Sequence, residues 1–110
     1  MNIQIFGKSK CFDTKKAERY FKERRVKYQY IDVVKYGISK GELTSVLRSV
    51  KLEELIDQSH PDAALLNYLA DRDAKIEKIL DDPTLMKTPI VRNGKLATLG
   101  NQPEVWKEWQ

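Results

Sequence analysis

Cysteine and histidine are almost absent from this sequence, which contains one residue of each, Cys11 and His60. A single cysteine excludes an internal disulfide bond, and we therefore expect a reducing, cytoplasmic setting. His60 has no second histidine and no cysteine near it in the sequence, so neither a metal site nor a bound cofactor is expected. The sequence also lacks internal repeats and low-complexity segments.

Long hydrophobic runs and segments of one-sided charge are absent as well. No apolar run approaches the roughly 18 residues of a membrane span, and Met1 leads directly into a predicted strand, so neither a membrane segment nor a signal peptide is expected. The net charge is +4, but no basic cluster alternates with aromatic residues, which argues against direct nucleic-acid binding. The length of 110 residues, with 41% hydrophobic and 33% charged residues, predicts a single globular domain over residues 1–110. We expect it to be a monomer.

The first third of the chain has the pattern of a strand, a helix and a second strand. Ile3, Ile5 and Phe6 form a short β-type run, and Tyr28–Val34 forms another. Between them the apolar residues recur at helical spacing, as shown by Ala17, Tyr20, Phe21 and Val26. Because strand, helix and strand fit within about 30 residues, they predict a βαβ unit with parallel strands.

Cys11 lies where the first predicted strand leads into the first helix. Unpaired backbone N–H groups and the helix dipole both stabilise a thiolate at that position, and thereby lower the thiol pKa below its usual value of about 8.5. Nearby lysines add positive charge, whereas Asp13 opposes it; the lysines are Lys8, Lys10, Lys15 and Lys16. A single cysteine is also typical of a small buried hydrophobic residue. A polar loop with lysines on both sides favours a nucleophile instead.

The rest of the chain predicts several short helices followed by a hairpin and a last helix. Ser39 and Glu42 have the spacing of a capping box, and a helical insertion is predicted at about residues 39–82, with Ala64, Leu65, Tyr68 and Leu69 among its apolar positions. Asn93-Gly94 is typical of a two-residue hairpin turn. Pro103 suits the first turn of a final helix, whose inner face would contain Val105, Trp106 and Trp109. The order β-α-β, inserted helices, β-β-α predicts an α/β thioredoxin-like fold with a mixed four-stranded sheet.

Three segments give the sequence a family resemblance. Cys11 after the first strand, Thr88–Val91 at the start of the hairpin and Leu99–Glu104 before the last helix resemble the arsenate reductase (ArsC) and Spx family. The resemblance implies a cis peptide bond before Pro89, in a loop beside the reactive cysteine. It also implies that Cys11 is a catalytic nucleophile and that glutathione and glutaredoxin act as external reductants. An external thiol suits a chain with one cysteine.

The same resemblance suggests which residues surround the thiol. The candidates for substrate or thiol binding are Lys8, Lys10, Thr14, Lys15, Thr88, Pro89 and Asn101. Thr14 either donates a hydrogen bond to the Cys11 thiolate or bonds only to the backbone. Thr88 either shapes the loop alone or presents backbone groups to a thiol peptide.

The sequence departs from the family pattern at its anion-binding positions. The glutathione-linked arsenate reductases carry three arginines that bind the oxyanion, and those positions align with Asp57, Thr88 and Asn101 in this sequence. Lys15 stands where a further arginine is found. Because arginine is the best bidentate donor to oxyanions, this departure argues against arsenate as the substrate.

The resemblance to Spx suggests an alternative of another class. An Spx-like protein is a regulatory adaptor that acts by binding a protein partner such as RNA polymerase. Spx proteins usually contain a C-x-x-C redox switch, but Thr14 occupies the second cysteine position here. A disulfide switch is therefore excluded, and we favour a thiol oxidoreductase over the adaptor.

Overall fold

A computed structural model describes residues 1–69 and 71–109. Ala70 and Gln110, which belong to the predicted 1–110 domain, lie outside the described residues. Strand β1 (Ile3–Gly7), helix α1 (Phe12–Glu23) and strand β2 (Tyr28–Asp32) form the first unit. β1 and β2 pair in parallel, with Ile3 opposite Tyr28 and Gly7 opposite Asp32. The predicted βαβ unit is thus confirmed.

Strand β2 is two residues shorter than the apolar run that predicted it. The side chain of Asp32 accepts a hydrogen bond from the backbone N–H of Val34, and this cap begins helix α2 (Val33–Tyr36). Val33, the first residue of this helix, is fully buried in the core. An apolar run alone does not distinguish a buried strand from the start of a buried helix.

Short helices fill the chain between β2 and β3. They are α2, α3 (Lys40–Val46), α4 (Leu52–Leu55), α5 (Ala63–Asn67) and α6 (Arg72–Asp81), followed by a 3₁₀ turn at Pro83–Leu85. Both hydrogen bonds of the predicted capping box are present at the start of α3. Of the apolar positions predicted in this region, Leu65 and Tyr68 are 65% and 86% exposed, and the buried residues of α5 are instead Ala63 and Leu66.

The chain ends with the hairpin of β3 (Ile90–Asn93) and β4 (Leu96–Leu99) and with helix α7 (Pro103–Glu108). The strand order is β2-β1-β3-β4, and β3 is antiparallel to both β1 and β4. The predicted mixed four-stranded sheet is therefore confirmed. Among the described residues, no helix is both long and apolar enough to cross a membrane.

The sheet separates two hydrophobic clusters. The larger cluster packs helices α2 to α6 against one face, through residues such as Phe6, Leu43 and Ile90. The smaller cluster packs α1 and α7 against the other face, around Trp106. Trp106 is fully buried, as predicted, and its indole N–H donates to Thr98 Oγ1 at 2.8 Å. Val105, predicted on the same inner face, is instead 38% exposed.

Candidate functional site

Cys11 is the N-cap residue of α1, at the position that the sequence predicted. Its backbone is extended, with φ −86° and ψ 118°, and its N–H donates to the carbonyl of Lys8 at 3.0 Å. This turn brings the sulfur to the open end of the helix, where the first N–H groups have no partner within the helix. Cys11 is half-buried, so its thiol lies at the edge of the molecule and not in its core, and Phe12, the next residue, is exposed.

Two contacts hold the cysteine loop against the segment that precedes β3. The thiol of Cys11 donates to the carbonyl of Thr88 at 3.4 Å, and the bond between Thr88 and Pro89 is cis, as the family resemblance implies. The ammonium group of Lys8 donates to the carbonyls of Thr84 at 3.1 Å and Met86 at 2.8 Å. Lys8 therefore fixes the relative position of the two segments.

The pKa of Cys11 lies below its usual value. Burial of the thiol raises this pKa, but hydrogen bonds to the ionised sulfur together lower it by more. They come from the side chains of Thr14 and Thr88 and from the backbone N–H groups of Thr14 and Asp13. The two N–H groups belong to the first turn of α1, in agreement with the predicted effect of a helix N-terminus. The predicted contribution from nearby lysines is not found among these causes.

Thr14 lies behind the sulfur and is 1% exposed. Its hydroxyl oxygen is buried without a hydrogen-bond partner among the described residues. A buried hydroxyl without a partner is unfavourable, and the thiolate of Cys11 is the acceptor that would satisfy it. Two roles were considered for Thr14, and this burial favours the hydrogen bond to the thiolate.

The sulfur opens into a depression of about 490 Å³. Four of the predicted site residues line it, namely Lys8, Lys10, Cys11 and Thr88. Pro89 is buried, and its carbonyl accepts from the N–H of Gly100 at 2.8 Å. Asn101 is exposed and does not line the depression. Lys15 projects from another side of α1, beside Glu18 and Arg19.

Other residues that line the depression were not predicted as site residues. They are Asp13, Asp57, Lys87, Leu99 and Gly100. Asp57 and Lys87 come together because Ile56 and Met86 form an isolated antiparallel bridge. No short motif marks this bridge, although the alignment with the family's arginines does point to Asp57. The described residues that line the depression do not include an arginine.

His60 does not line this depression, and it forms a group with Asp62 and Asp82. Its Nδ1 accepts from the backbone N–H of Asp62 at 2.9 Å, and its Nε2 is 3.0 Å from Thr84 Oγ1. Asp82 in turn caps the 3₁₀ turn. Both ring nitrogens thus have partners within the protein, and the group serves to join two loops.

Comparisons with known proteins agree with this architecture. The model of the ArsC family matches residues 6–109. The global transcriptional regulator Spx 2 of Oceanobacillus iheyensis is 28% identical over 105 residues, which cover 91% of this chain and 77% of that protein. The solved structure of SACOL0876 from Staphylococcus aureus is similar with a TM-score of 0.79 and 27% identity, over 96% of each chain.

An arsenate reductase from Vibrio cholerae has a similar structure as well. Its TM-score is 0.85 at 20% identity, over 98% of this chain and 97% of that one. At this identity the likeness concerns the fold. The fold is thioredoxin-like, as the order of elements predicted.

Proposed function

The chain belongs to the ArsC family, and on this premise we propose that it is a thiol oxidoreductase with Cys11 as its nucleophile and glutathione or glutaredoxin as its external reductant. One observation carries the proposal. The sulfur lies at the N-cap of α1, with an open depression in front of it. Beside it lies the buried hydroxyl of Thr14, which has no hydrogen-bond partner among the described residues. Such an environment favours the thiolate, which is the reactive form of cysteine.

In the proposed reaction, the Cys11 thiolate attacks one sulfur of an oxidised substrate disulfide. The substrate S–S bond breaks, a mixed disulfide with Cys11 forms, and the other substrate sulfur leaves as a thiolate that takes up a proton. A glutathione thiolate then attacks the mixed disulfide and regenerates Cys11. A second glutathione, directly or through glutaredoxin, releases the remaining substrate thiol. Two glutathione sulfurs are thereby oxidised to one disulfide for each substrate disulfide that is reduced.

The residues around the sulfur have defined roles in this proposal. The Thr14 hydroxyl and the first N–H groups of α1 stabilise the thiolate before attack and again when Cys11 leaves the mixed disulfide. The carbonyl of Thr88 accepts a hydrogen bond from the protonated thiol, and the proton leaves to solvent when the thiolate forms. We place this chemistry in the cytoplasm, where glutathione keeps thiols reduced, and we expect the protein to act as a monomer.

Arsenate is not the substrate that the depression favours. Its lining contains lysines and two carboxylates, and lysine does not offer the paired donors with which arginine binds an oxyanion. The carboxylates repel arsenate. We therefore propose a disulfide as the oxidised substrate.

Two measurements test the proposal. The first is the pKa of Cys11, from the pH dependence of its alkylation by iodoacetamide, with unfolded protein as the reference. The second is the glutathione-dependent reduction of bis(2-hydroxyethyl) disulfide, a neutral substrate, with Cys11→Ser as the control. We expect a pKa below the usual value of about 8.5 and turnover that Cys11→Ser abolishes. A pKa at or above that value, or equal turnover in both proteins, would overturn the proposal.

The similarity to Spx 2 of Oceanobacillus iheyensis supports a second candidate, a regulatory adaptor that binds a protein partner such as RNA polymerase. Thr14 at the second position of the C-x-x-C motif removes the disulfide switch, so an adaptor of this kind acts without redox control. Co-purification of RNA polymerase from cells with both the unaltered protein and Cys11→Ser, together with no turnover, would favour the adaptor.

A further inference from the structure

The depression beside Cys11 contains charged groups of both signs, and they are not equally available to a ligand. The ammonium group of Lys8 already donates to two carbonyls. Asp13 lies 3.7 Å from Lys16 in an ion pair on α1. Of the carboxylates in the lining, Asp57 is therefore the one that lies opposite the cysteine loop without an ion pair among the described residues.

Asp57 is held in place by its backbone and by its own side chain. Its N–H donates to the carbonyl of Leu85 at 2.7 Å, next to the bridge between Ile56 and Met86. Its Oδ1 accepts from the backbone N–H of Ser59 at 3.0 Å and from the Ser59 hydroxyl at 2.6 Å. Its Oδ2 accepts no hydrogen bond from the described part of the chain. The depression thus contains a fixed carboxylate with one oxygen available to a ligand.

The surroundings of the Asp57 carboxylate also favour its ionised form. The Ser59 hydroxyl is the largest influence and lowers the pKa of Asp57, burial raises it, and the Ser59 N–H and the charges of Lys8 and Lys87 lower it further. The net direction is downward, so Asp57 carries its negative charge at neutral pH. A fixed negative charge attracts an ammonium group and repels a second anion.

We propose that Asp57 is a specificity-determining residue, which directs to Cys11 thiols and disulfides that carry an ammonium group near the sulfur, as amino-acid-type thiols do. The free Oδ2 accepts the ammonium N–H. Lys10 and Lys87, which are exposed on the same lining, are available to a carboxylate of the same molecule. The volume of about 490 Å³ is within the range of small-molecule sites. This inference rests on the proposed thiol chemistry of Cys11.

Three symmetrical disulfides that differ in charge test the inference. They are cystamine, with two ammonium groups, bis(2-hydroxyethyl) disulfide, which is neutral, and 3,3′-dithiodipropionate, with two carboxylates. The rate constant of mixed-disulfide formation at Cys11 is measured for each at one pH and one low ionic strength. Each variant is compared with the unaltered protein for the same disulfide, so that the intrinsic reactivity of the disulfide cancels.

Asp57→Asn removes the charge but keeps an oxygen that accepts from Ser59. We expect it to slow the reaction with cystamine about threefold and to speed the reaction with 3,3′-dithiodipropionate about threefold, a change of about tenfold in their ratio, as screened Coulomb interactions predict. The matched control is Glu53→Gln, which removes the same charge from an exposed residue of α4 outside the depression. In this control the ratio should change less than twofold.

The outcomes separate the inference from the proposed function. If no disulfide reacts with the unaltered protein, including the neutral one, the proposed thiol chemistry fails. If the neutral disulfide reacts but Asp57→Asn changes all three rate constants by the same factor, or none of them, then Asp57 does not select substrates and the inference alone is overturned. Far-UV circular dichroism and urea unfolding of both variants establish that the fold is intact.

Discussion

Replacement of Thr14 by valine separates the contribution of one hydroxyl group to the thiolate from that of the helix. Valine has nearly the same shape as threonine but has no hydroxyl. The Thr14 hydroxyl is buried, has no partner among the described residues, and is one of the groups that lower the pKa of Cys11. We therefore expect Thr14→Val to raise that pKa.

The size of the effect follows from the strength of one hydrogen bond to a charged group. Such a bond contributes about 1.5–3 kcal/mol, and about 1.4 kcal/mol corresponds to one pKa unit. Because Cys11 is only half-buried, the lower end of the range applies, and the pKa should rise by about one unit. The backbone N–H groups of Asp13 and Thr14 remain, so part of the original shift should persist.

The assay is the pH dependence of alkylation by iodoacetamide, since the rate at one pH mixes the thiolate fraction with its nucleophilicity. Thr14→Ser is the matched control, because it keeps the hydroxyl and loses only the methyl group. The pKa of Cys11 in this control should stay close to that of the unaltered protein. An unchanged pKa in Thr14→Val would refute the assigned hydrogen bond.

The same substitution should change the free energy of unfolding in a way that depends on pH. At a pH below the pKa of the folded state, Cys11 is a thiol. Thr14→Val then removes a buried hydroxyl that has no partner in the described part of the chain, so the free energy of unfolding should rise by about 1 kcal/mol. A lowered pKa stabilises the folded state above the pKa of the unfolded state, and this stabilisation is lost as the pH falls through the folded pKa. Urea unfolding at a pH below the folded pKa of Cys11, as found by alkylation, and at a pH above the unfolded pKa should therefore show a smaller pH dependence in Thr14→Val than in the unaltered protein.

Two further substitutions test the packing that supports the site. Gly7→Ala places a methyl group against the Cγ2 and Oγ1 atoms of Thr14. It should lower the free energy of unfolding by about 1–3 kcal/mol and change the alkylation rate of Cys11. An unchanged free energy of unfolding, measured with urea, would contradict this. Trp106→Phe removes the indole donor to the buried Thr98 hydroxyl and some apolar volume, and should lower the free energy of unfolding by about 2–3 kcal/mol. Trp106→Phe combined with Thr98→Val should be more stable than Trp106→Phe alone.

The sequence alone determined those features that depend on neighbours within a few residues. The position of Cys11 at the start of α1, the capping box at Ser39 and Glu42, and the turn at Asn93-Gly94 all follow from local hydrogen bonding and local backbone preferences. The alternation of strand and helix patterns along the sequence predicted the order of the elements, and this order predicted the fold. A local pattern did not determine which face of α5 is buried, because that face depends on what packs against it.

Only the tertiary structure decided what surrounds the sulfur. Thr88 is 77 residues from Cys11 along the chain, and Asp57 reaches the depression through the bridge between Ile56 and Met86. Lys8, predicted to add positive charge beside the thiol, donates to the carbonyls of Thr84 and Met86. Backbone pairing between distant segments has no local signature in the sequence. Thr14 and the N–H groups of α1 are neighbours of Cys11 in the chain, but Thr88 and Asp57 are brought to the sulfur by folding alone.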